Sequence, residues 1–451
     1  MLFTASQLIE LFPQYQGNVQ NDLEIREIIK DSRVMSNHGL YVPIAGDRFD
    51  GHQFIEGAVE NGAVATFWQK DIPLPPNLPS SLLVLFVEDT VKALQELAAA
   101  YRREVNPTVI GITGSNGKTT TKDLAKAVME TTFKTHATKG NFNNHIGVPL
   151  TILSMDRATE VLILEMGMNH FGEIELLSGL GQPDNAIITN IDGQHIENLG
   201  SRAGIAKAKL EIVSGMKPEG MLIIDGDEPL LTDAAIPVQK KRIGFSEENE
   251  VVIRNVVVEE SVTNFEIEKE SYQIPLLGKH HAKNAAYIIE LAYRMGITPD
   301  AIRKAFGHLE MTKMRFEKHT GKNGITVIND AYNASPASMK AAIQVVEEMK
   351  GYQHKILVLG DILELGDYAE EFHRGIAEII HSEITAVYTY GQNSFYIHDE
   401  VKRKLPELTA VHLADKSELI DHVEKYLEPK NLFLLKASRG MAFETFLEQL
   451  I

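Results

Sequence analysis

The sequence predicts an α/β protein of three domains: a small N-terminal α/β domain (1–88), a central P-loop mononucleotide-binding parallel sheet (89–313) and a C-terminal Rossmann-like α/β domain (314–451). Three observations carry this expectation. A chain of 451 residues is too long for one core and divides into about three domains. Short apolar runs alternate with segments of helical period, as in strands and helices layered on a parallel sheet. The runs also end in polar residues. Run 109–112 ends at a glycine-rich loop, 161–164 at Glu165, 186–191 at Asp192 and His195, and 221–224 at Asp225. The pattern returns with 325–328 before Asn329-Asp330, 356–359 before Gly360-Asp361, and 432–435 before Lys436. Carboxyl ends of parallel strands share one edge, where ligands bind.

Taken in order, the opening MLFTASQLIELF reads as an amphipathic helix that Ser6 could cap. It has no basic n-region and carries Glu10, so it is not expected to be a signal peptide. Asp31-Ser32-Arg33 precedes a short strand at Leu40-Tyr41-Val42, and a polar loop runs from Gly46 to His52. The proline-rich stretch 73–81 is expected to be surface chain near a domain boundary.

The stretch 108–122, TVIGITGSNGKTTTK, organises the central domain. A buried strand enters a loop with glycines at 111, 114 and 117, followed by Lys118, Thr119 and Thr120. A helix is expected after Thr121, with Leu124, Val128 and Met129 inward. Such a build cradles phosphates: backbone N–H groups and the helix N-terminus face the anion, the lysine neutralises it, and a hydroxyl holds magnesium. The form is shortened to Gly114-x-x-Gly117-Lys118-Thr119, with Ile112 where the general pattern has glycine. Thr119, Glu165 and His195 can be assembled as magnesium ligands, since magnesium takes few protein ligands and completes its shell with phosphate oxygens and water. Residues 250–277 alternate at period two, which predicts an antiparallel excursion. A helix then opens at 278–284, with Ile288, Leu291 and Met295 on its apolar face. His280 and His281 are neighbours about 100° apart on that helix, which predicts nucleotide contacts and not a metal pair.

The 62 acidic against 44 basic residues, 44 − 62 = −18, argue against broad nucleic-acid binding, which needs clustered lysine and arginine. With no cysteine, disulfides, thiolate catalysis and cysteine zinc sites are excluded. Apolar runs such as 82–87 fall well short of the ~20 residues that span a bilayer. A soluble, cytoplasmic protein is expected.

TGSNGKTTT at 113–121, GNFNNHIGVPLT at 140–151, LEMGMN at 164–169, AGIAKAKLEI at 203–212 and DAYNASPASM at 330–339 together resemble the Mur ligases, the ATP-dependent amide-forming enzymes of peptidoglycan precursor synthesis. The resemblance covers the whole chain. Within the family, GNFNN, LGDILELGD at 359–367 and KASRGMAFE at 436–444 point to members that add D-alanyl-D-alanine to UDP-MurNAc-tripeptide. The Asp-Asn-Pro-Arg signature usual in the paralogue adding a single third residue is missing.

The resemblance implies a role for each matching position. Gly114, Ser115, Asn116, Gly117, Lys118, Thr119 and Thr120 would cradle the phosphates of ATP. Asn284 would contact adenine, Arg315 the γ-phosphate and Asp330 the ribose, with Asn333 and Tyr332 in the same loop. Thr119 and Glu165 would hold a first magnesium ion, and His195 a second. Lys209 matches a lysine carried as a carbamate in many members, although an ordinary helical lysine fits the sequence equally. Lys118, Lys209, His195 and Arg315 form the implied catalytic set. Ser32, Arg33, Gly46, Asp47, Arg48 and Phe49 would hold the uridine end of the acceptor, and Asn141, Asn143 and Asn144 its peptide. Asp361, Leu365, Ser438 and Arg439 are the candidates for the dipeptide. The implied reaction passes through an acyl phosphate, in a monomer that closes about a hinge near residue 313. Whether the tripeptide ends in L-lysine or meso-diaminopimelate stays open. An ATP-gated binding protein is the rival of another class, and the three sets of strand-end polar groups speak against it.

Overall fold

The computed structural model describes residues 1–451 except 18–22, 47–48, 194, 260, 311 and 313. Asp47, Arg48 and the expected hinge position 313 therefore lie outside the described residues. Three large sheets follow one another along the chain.

The first sheet runs in the order Tyr15–Gln16, Leu83–Val87, Ala63–Gln69, Gly39–Tyr41, Glu27–Ile29, with parallel pairing beyond the first antiparallel pair. The proline-rich stretch 73–81 is the surface crossover that joins Ala63–Gln69 to Leu83–Val87 inside this sheet. The first helix is Ala5–Leu11, and its cap is Thr4, not Ser6: Thr4 and Gln7 form a reciprocal capping box. A glutamine three residues on makes Thr4 the stronger cap.

Among the described residues the central sheet has nine strands. Gln239–Gly244, Met221–Asp225, Asn185–Ile188, Thr108–Thr113, Val161–Glu165 and Thr135–Ala137 lie side by side and parallel. Val251–Val258, Thr263–Ile267 and Glu270–Ile274 extend it as the expected antiparallel excursion. The chain leaves Thr108–Thr113 to one side and later returns to the other, so a crevice opens at that strand's carboxyl end. Two expected boundaries move. The strand expected over 186–191 stops at Ile188, because Thr189 turns in against Gly114, where a Cβ would stand 1.9 Å from its hydroxyl. The helix expected after Thr121 already begins at Lys118, its threonines buried beneath the loop.

The third sheet has the order Glu317–Thr320, Thr326–Asn329, Asn431–Lys436, His354–Gly360, Ala386–Tyr390, Thr409–Leu413, parallel except for its first pair. The cores show how the parts are joined. Phe3, Phe67 and Leu85 of the first part pack in one cluster with Leu94 and Tyr101 of helix Thr90–Val105 and with Leu162, Ile188 and Leu222 of the central sheet. Both faces of the third sheet have cores of their own, to which the earlier chain adds little beyond Leu277 and Val258. No helix among the described residues is long and apolar enough to cross a membrane.

Candidate functional site

The phosphate loop is shaped by two glycines. Gly114 has φ 144° and Gly117 φ 80°, a region costly for residues with a Cβ. A Cβ on Gly117 would also lie 2.9 Å from the Asn284 amide, so Asn284 packs directly on the loop. The Lys118 ammonium donates to the Gly114 and Ser115 carbonyls at 2.7 and 3.1 Å. It opens only onto a cavity that protein surrounds. That enclosure brings its pKa down to about 8, helped by Arg315 and opposed by Glu165.

The cavity holds about 550 Å³. Ser115, Asn116, Gly117, Lys118, Thr119, Thr120 and Asn284 line it from the central part, and Arg315, Asp330 and Asn333 from the third. Every residue expected to hold the nucleotide is therefore gathered here except Gly114, which shapes the loop behind. Arg315 crosses the cavity: its Nη2 donates to Thr119 Oγ1 at 3.2 Å, and its guanidinium lies 4.2 Å from the Tyr332 ring centroid. Its Nε is buried with no hydrogen-bond acceptor. Asp330 accepts from the Phe316 N–H and pairs at 2.7 Å with Lys436, whose ammonium also donates to the Asn333 carbonyl. Burial lowers the Lys436 pKa, with Asp330 opposing.

The expected magnesium ligands are arranged as follows. Glu165 is buried; Oε1 accepts from Asn143 Nδ2 at 2.8 Å, and Oε2 has no hydrogen-bond partner. A bare, buried carboxylate oxygen suits a cation that takes few protein ligands. Among the described residues no three histidines, cysteines or carboxylates cluster as a metal site. His195 sits at φ 63° with Nδ1 2.6 Å from Glu364 Oε2 of the third part. The imidazole beside it lowers the Glu364 pKa. Lys209 is only 2% exposed and pairs with no carboxylate among the described residues. Burial, then the Lys118 charge, pushes its pKa well below the lysine range.

His280 and His281 do not behave as the helical offset suggested. Their rings approach to 4.0 Å, because side chains on a first turn can lean together. His280 lines the cavity and stays exposed to it. The candidate acceptor residues are dispersed. Asn144 Oδ1 accepts from the Ile146 and Gly147 N–H groups just ahead of helix Gly147–Leu153, and Asn141 is exposed. Arg33 pairs with Asp31, the Gly46 N–H donates to the Phe49 carbonyl, and the Phe49 ring is exposed. Ser32 gives its carbonyl to Asn61. A second cavity of about 790 Å³, lined by Lys30, Asp31, Lys139 and Phe142, opens beside them. Among the dipeptide candidates, Asp361 accepts the Asn393 and Ser394 N–H groups and Ser438 accepts that of Leu363. Leu365 is buried, and Arg439 is exposed beside Glu444.

Sequence reasoning missed several cavity residues. Lys436 was visible only as a strand-end polar residue. Lys283 lines the wall between Asp225 and Asp227 at 2.7 and 2.8 Å, with Phe245 beside it. Asp192 and Ala337 meet across the cavity, and Ser335-Pro336 is a helix-start signal that could have pointed there.

Comparison with known proteins adds the following. Three family models match: Mur ligase family, catalytic domain, over residues 24–102; Mur ligase middle domain over 112–292; and Mur ligase, glutamate ligase domain, over 314–439. The chain is 45% identical over 442 residues to the UDP-N-acetylmuramoyl-tripeptide–D-alanyl-D-alanine ligase of Bacillus subtilis strain 168, covering 97% of this chain and 95% of that protein. A crystal structure of MurF from Acinetobacter baumannii superposes with a TM-score of 0.88 at 28% identity, over 99% of this chain and 98% of the other. MurF ligase from Thermotoga maritima in complex with ADP gives 0.83 at 27% identity, over 95% and 98%.

Proposed function

The chain belongs to the Mur ligase family, and from that premise we infer its reaction: it is an ATP-dependent ligase that joins D-alanyl-D-alanine to UDP-N-acetylmuramoyl-tripeptide, releasing ADP and phosphate. The observation that carries this reading is the 45% identity over 97% of the chain to a ligase of that name. The cavity that unites the phosphate loop with Arg315 and Asp330 supports it.

Carboxylates are poor acylating agents, so ATP supplies a leaving group. The terminal carboxylate oxygen of the tripeptide bonds to the γ-phosphorus, the bond to the β-phosphate oxygen breaks, and ADP leaves an acyl phosphate. The dipeptide amine then attacks the carbonyl carbon, the carbon–oxygen bond breaks, and the amine's proton departs with phosphate. The protein's part is position, charge neutralisation and exclusion of water. Lys118 and the loop amides hold the phosphates, Arg315 reaches the γ-phosphate, Asp330 the ribose and Asn284 the adenine. Thr119 and Glu165 would hold one magnesium ion, and His195 with a carbamylated Lys209 a second; the ions offset phosphate charge. A buried, unpaired Lys209 favours the neutral amine, whose nitrogen adds to carbon dioxide with loss of a proton. Asn141, Asn143 and Asn144 hold the acceptor peptide, and Ser32, Arg33, Gly46 and Phe49 its uridine end. Asp361, Leu365, Ser438 and Arg439 border the dipeptide. We place the domain borders at 88/89 and 313/314, with closure of the third domain on binding. The enzyme acts in the cytoplasm, and as a monomer, in which one chain supplies both sides of the nucleotide site.

The reading is tested by incubating the protein with ATP, magnesium and UDP-MurNAc-tripeptide, adding either D-alanyl-D-alanine or single amino acids. A product heavier by the dipeptide is expected; a product only with a single amino acid would assign the chain to the paralogous activity. Glu165→Gln is expected to raise the magnesium concentration for half-maximal rate about tenfold, checked by manganese binding in electron paramagnetic resonance. Unchanged manganese affinity would remove Glu165 from the metal set. With ¹³C-bicarbonate, wild type is expected to show a carbamate carbon resonance that Lys209→Arg lacks; identical spectra would leave Lys209 an unmodified lysine.

A further inference from the structure

Asp192 has no part in the chemistry above, yet its carboxylate makes two hydrogen bonds to the third part. Its Oδ2 accepts from Asn116 Nδ2 at 3.0 Å, from Ser335 Oγ at 2.9 Å and from the Ala337 N–H at 3.3 Å. Ser335 Oγ also lies 2.8 Å from Asn116 Oδ1, so one hydroxyl proton is shared between two acceptors on the central domain. Asp192 is tied in turn to the phosphate loop: its N–H donates to Ser115 Oγ at 2.9 Å. On the other side, Ser335 is the N-cap of helix Pro336–Glu348 and accepts the Ser338 N–H at 3.1 Å. The carboxylate therefore faces the first turn of a helix from the other domain, where the helix dipole favours a negative charge.

We propose that Asp192 and Ser335, with Asn116 between them, form a polar latch that sets the third domain against the phosphate loop, making Asp192 and Ser335 positioning residues for Arg315 and Asp330. Ser335 lies at the end of the loop that begins with Asp330, and Lys436 braces that loop from beneath through Asp330 and the Asn333 carbonyl. A hydroxyl fixed on the phosphate loop therefore fixes the reach of Asp330, and of Arg315 through the Phe316–Asp330 hydrogen bond. The hydrophobic cores of the two parts are largely separate. Hydrogen bonds with defined geometry, and not a shared core, thus decide the angle of approach. The inference rests on the split nucleotide site proposed above.

The test uses the full chain and exploits its lack of cysteine. Exposed Glu219 and Lys402 are changed to cysteine and spin-labelled, and the distance between them is measured with ADP and without any amide substrate. Ser335→Asp keeps a good N-cap but sets one carboxylate against another. It is expected to broaden and lengthen the distance distribution and to weaken ADP binding by about tenfold. Adding Asp192→Asn, whose amide can donate to the new carboxylate, is expected to return both readouts to within about threefold of wild type. Should Ser335→Asp fail to fold, Asp192→Ala is read in its place, with the same lengthening expected. Unchanged distances and ADP affinity in the single variants, or no recovery in the double variant, would overturn the latch. Because no acceptor is present, a chain that fails to ligate but shows these shifts keeps the latch and loses only the ligase reading.

Discussion

Lys118→Met is expected to lower dipeptide-dependent phosphate release by on the order of 10³-fold, because a preorganised cation on the transferred phosphate in an enclosed site is among the largest single contributions to such reactions. The structure explains why this lysine is held where it is. Its ammonium rests on the Gly114 and Ser115 carbonyls, and enclosure lowers its pKa to about 8. A charge held against desolvation does not serve stability; it serves an anion. The fold should therefore survive the substitution, and the pH dependence has a fixed sign. Below about pH 8 lysine is protonated in both folded and unfolded states, and the charged form is disfavoured on folding. As pH rises from 8 towards the ordinary lysine range, the folded state releases the proton first, so wild type gains stability. The melting temperature of the variant minus that of wild type should accordingly fall as pH rises from 8 to 10. A methionine variant within tenfold of wild-type rate would remove Lys118 from the phosphate site.

Arg315→Ala is the second large effect: a loss of about 10³-fold or more in kcat is expected, the range of arginines that stabilise a transferring phosphoryl group. Arg315 reaches Thr119 from the third domain, is steadied on the Tyr332 ring, and keeps a buried Nε with no acceptor. A buried donor left unpaired is costly, and a phosphate oxygen would satisfy it. Since the γ-phosphate is its target, ADP affinity should change little while single-turnover phosphate release collapses. Arg315→Lys should not restore the rate, because a point charge does not reproduce a planar fork. Equal losses in ADP affinity and rate would instead make Arg315 a general nucleotide anchor.

Much of this site could be read from the chain because parallel strands concentrate function at their ends. The runs that finish at Glu165 and Asp225 lie in one parallel sheet with carboxyl ends together, and the apolar character of 109–112 reflects burial on both faces. Where expectations slipped, tertiary contacts decided. Thr189 leaves its strand to meet Gly114, and the helix starts at Lys118, a full turn ahead of the expected start, since Thr119, Thr120 and Thr121 are buried without being apolar. The bridges from Ser335 to Asn116 and from Arg315 to Thr119 join residues some two hundred positions apart. No local periodicity encodes such pairs. Roles for Asn284 and Asp330 came from resemblance, since an asparagine in a helix carries no signal of its own and a strand-end aspartate marks the ligand edge without saying which part of a ligand it meets.

The order of bond making is the centre of the account, and an isotope tests it most directly. The terminal carboxylate of UDP-MurNAc-tripeptide is enriched with ¹⁸O and the reaction is run with ATP, magnesium and D-alanyl-D-alanine. If the carboxylate attacks the γ-phosphate before the amine arrives, one labelled oxygen per turnover leaves in the released phosphate. Phosphate free of label, formed alongside the amide product, would contradict acyl-phosphate activation and with it the assignment of Lys118 and Arg315 to that step.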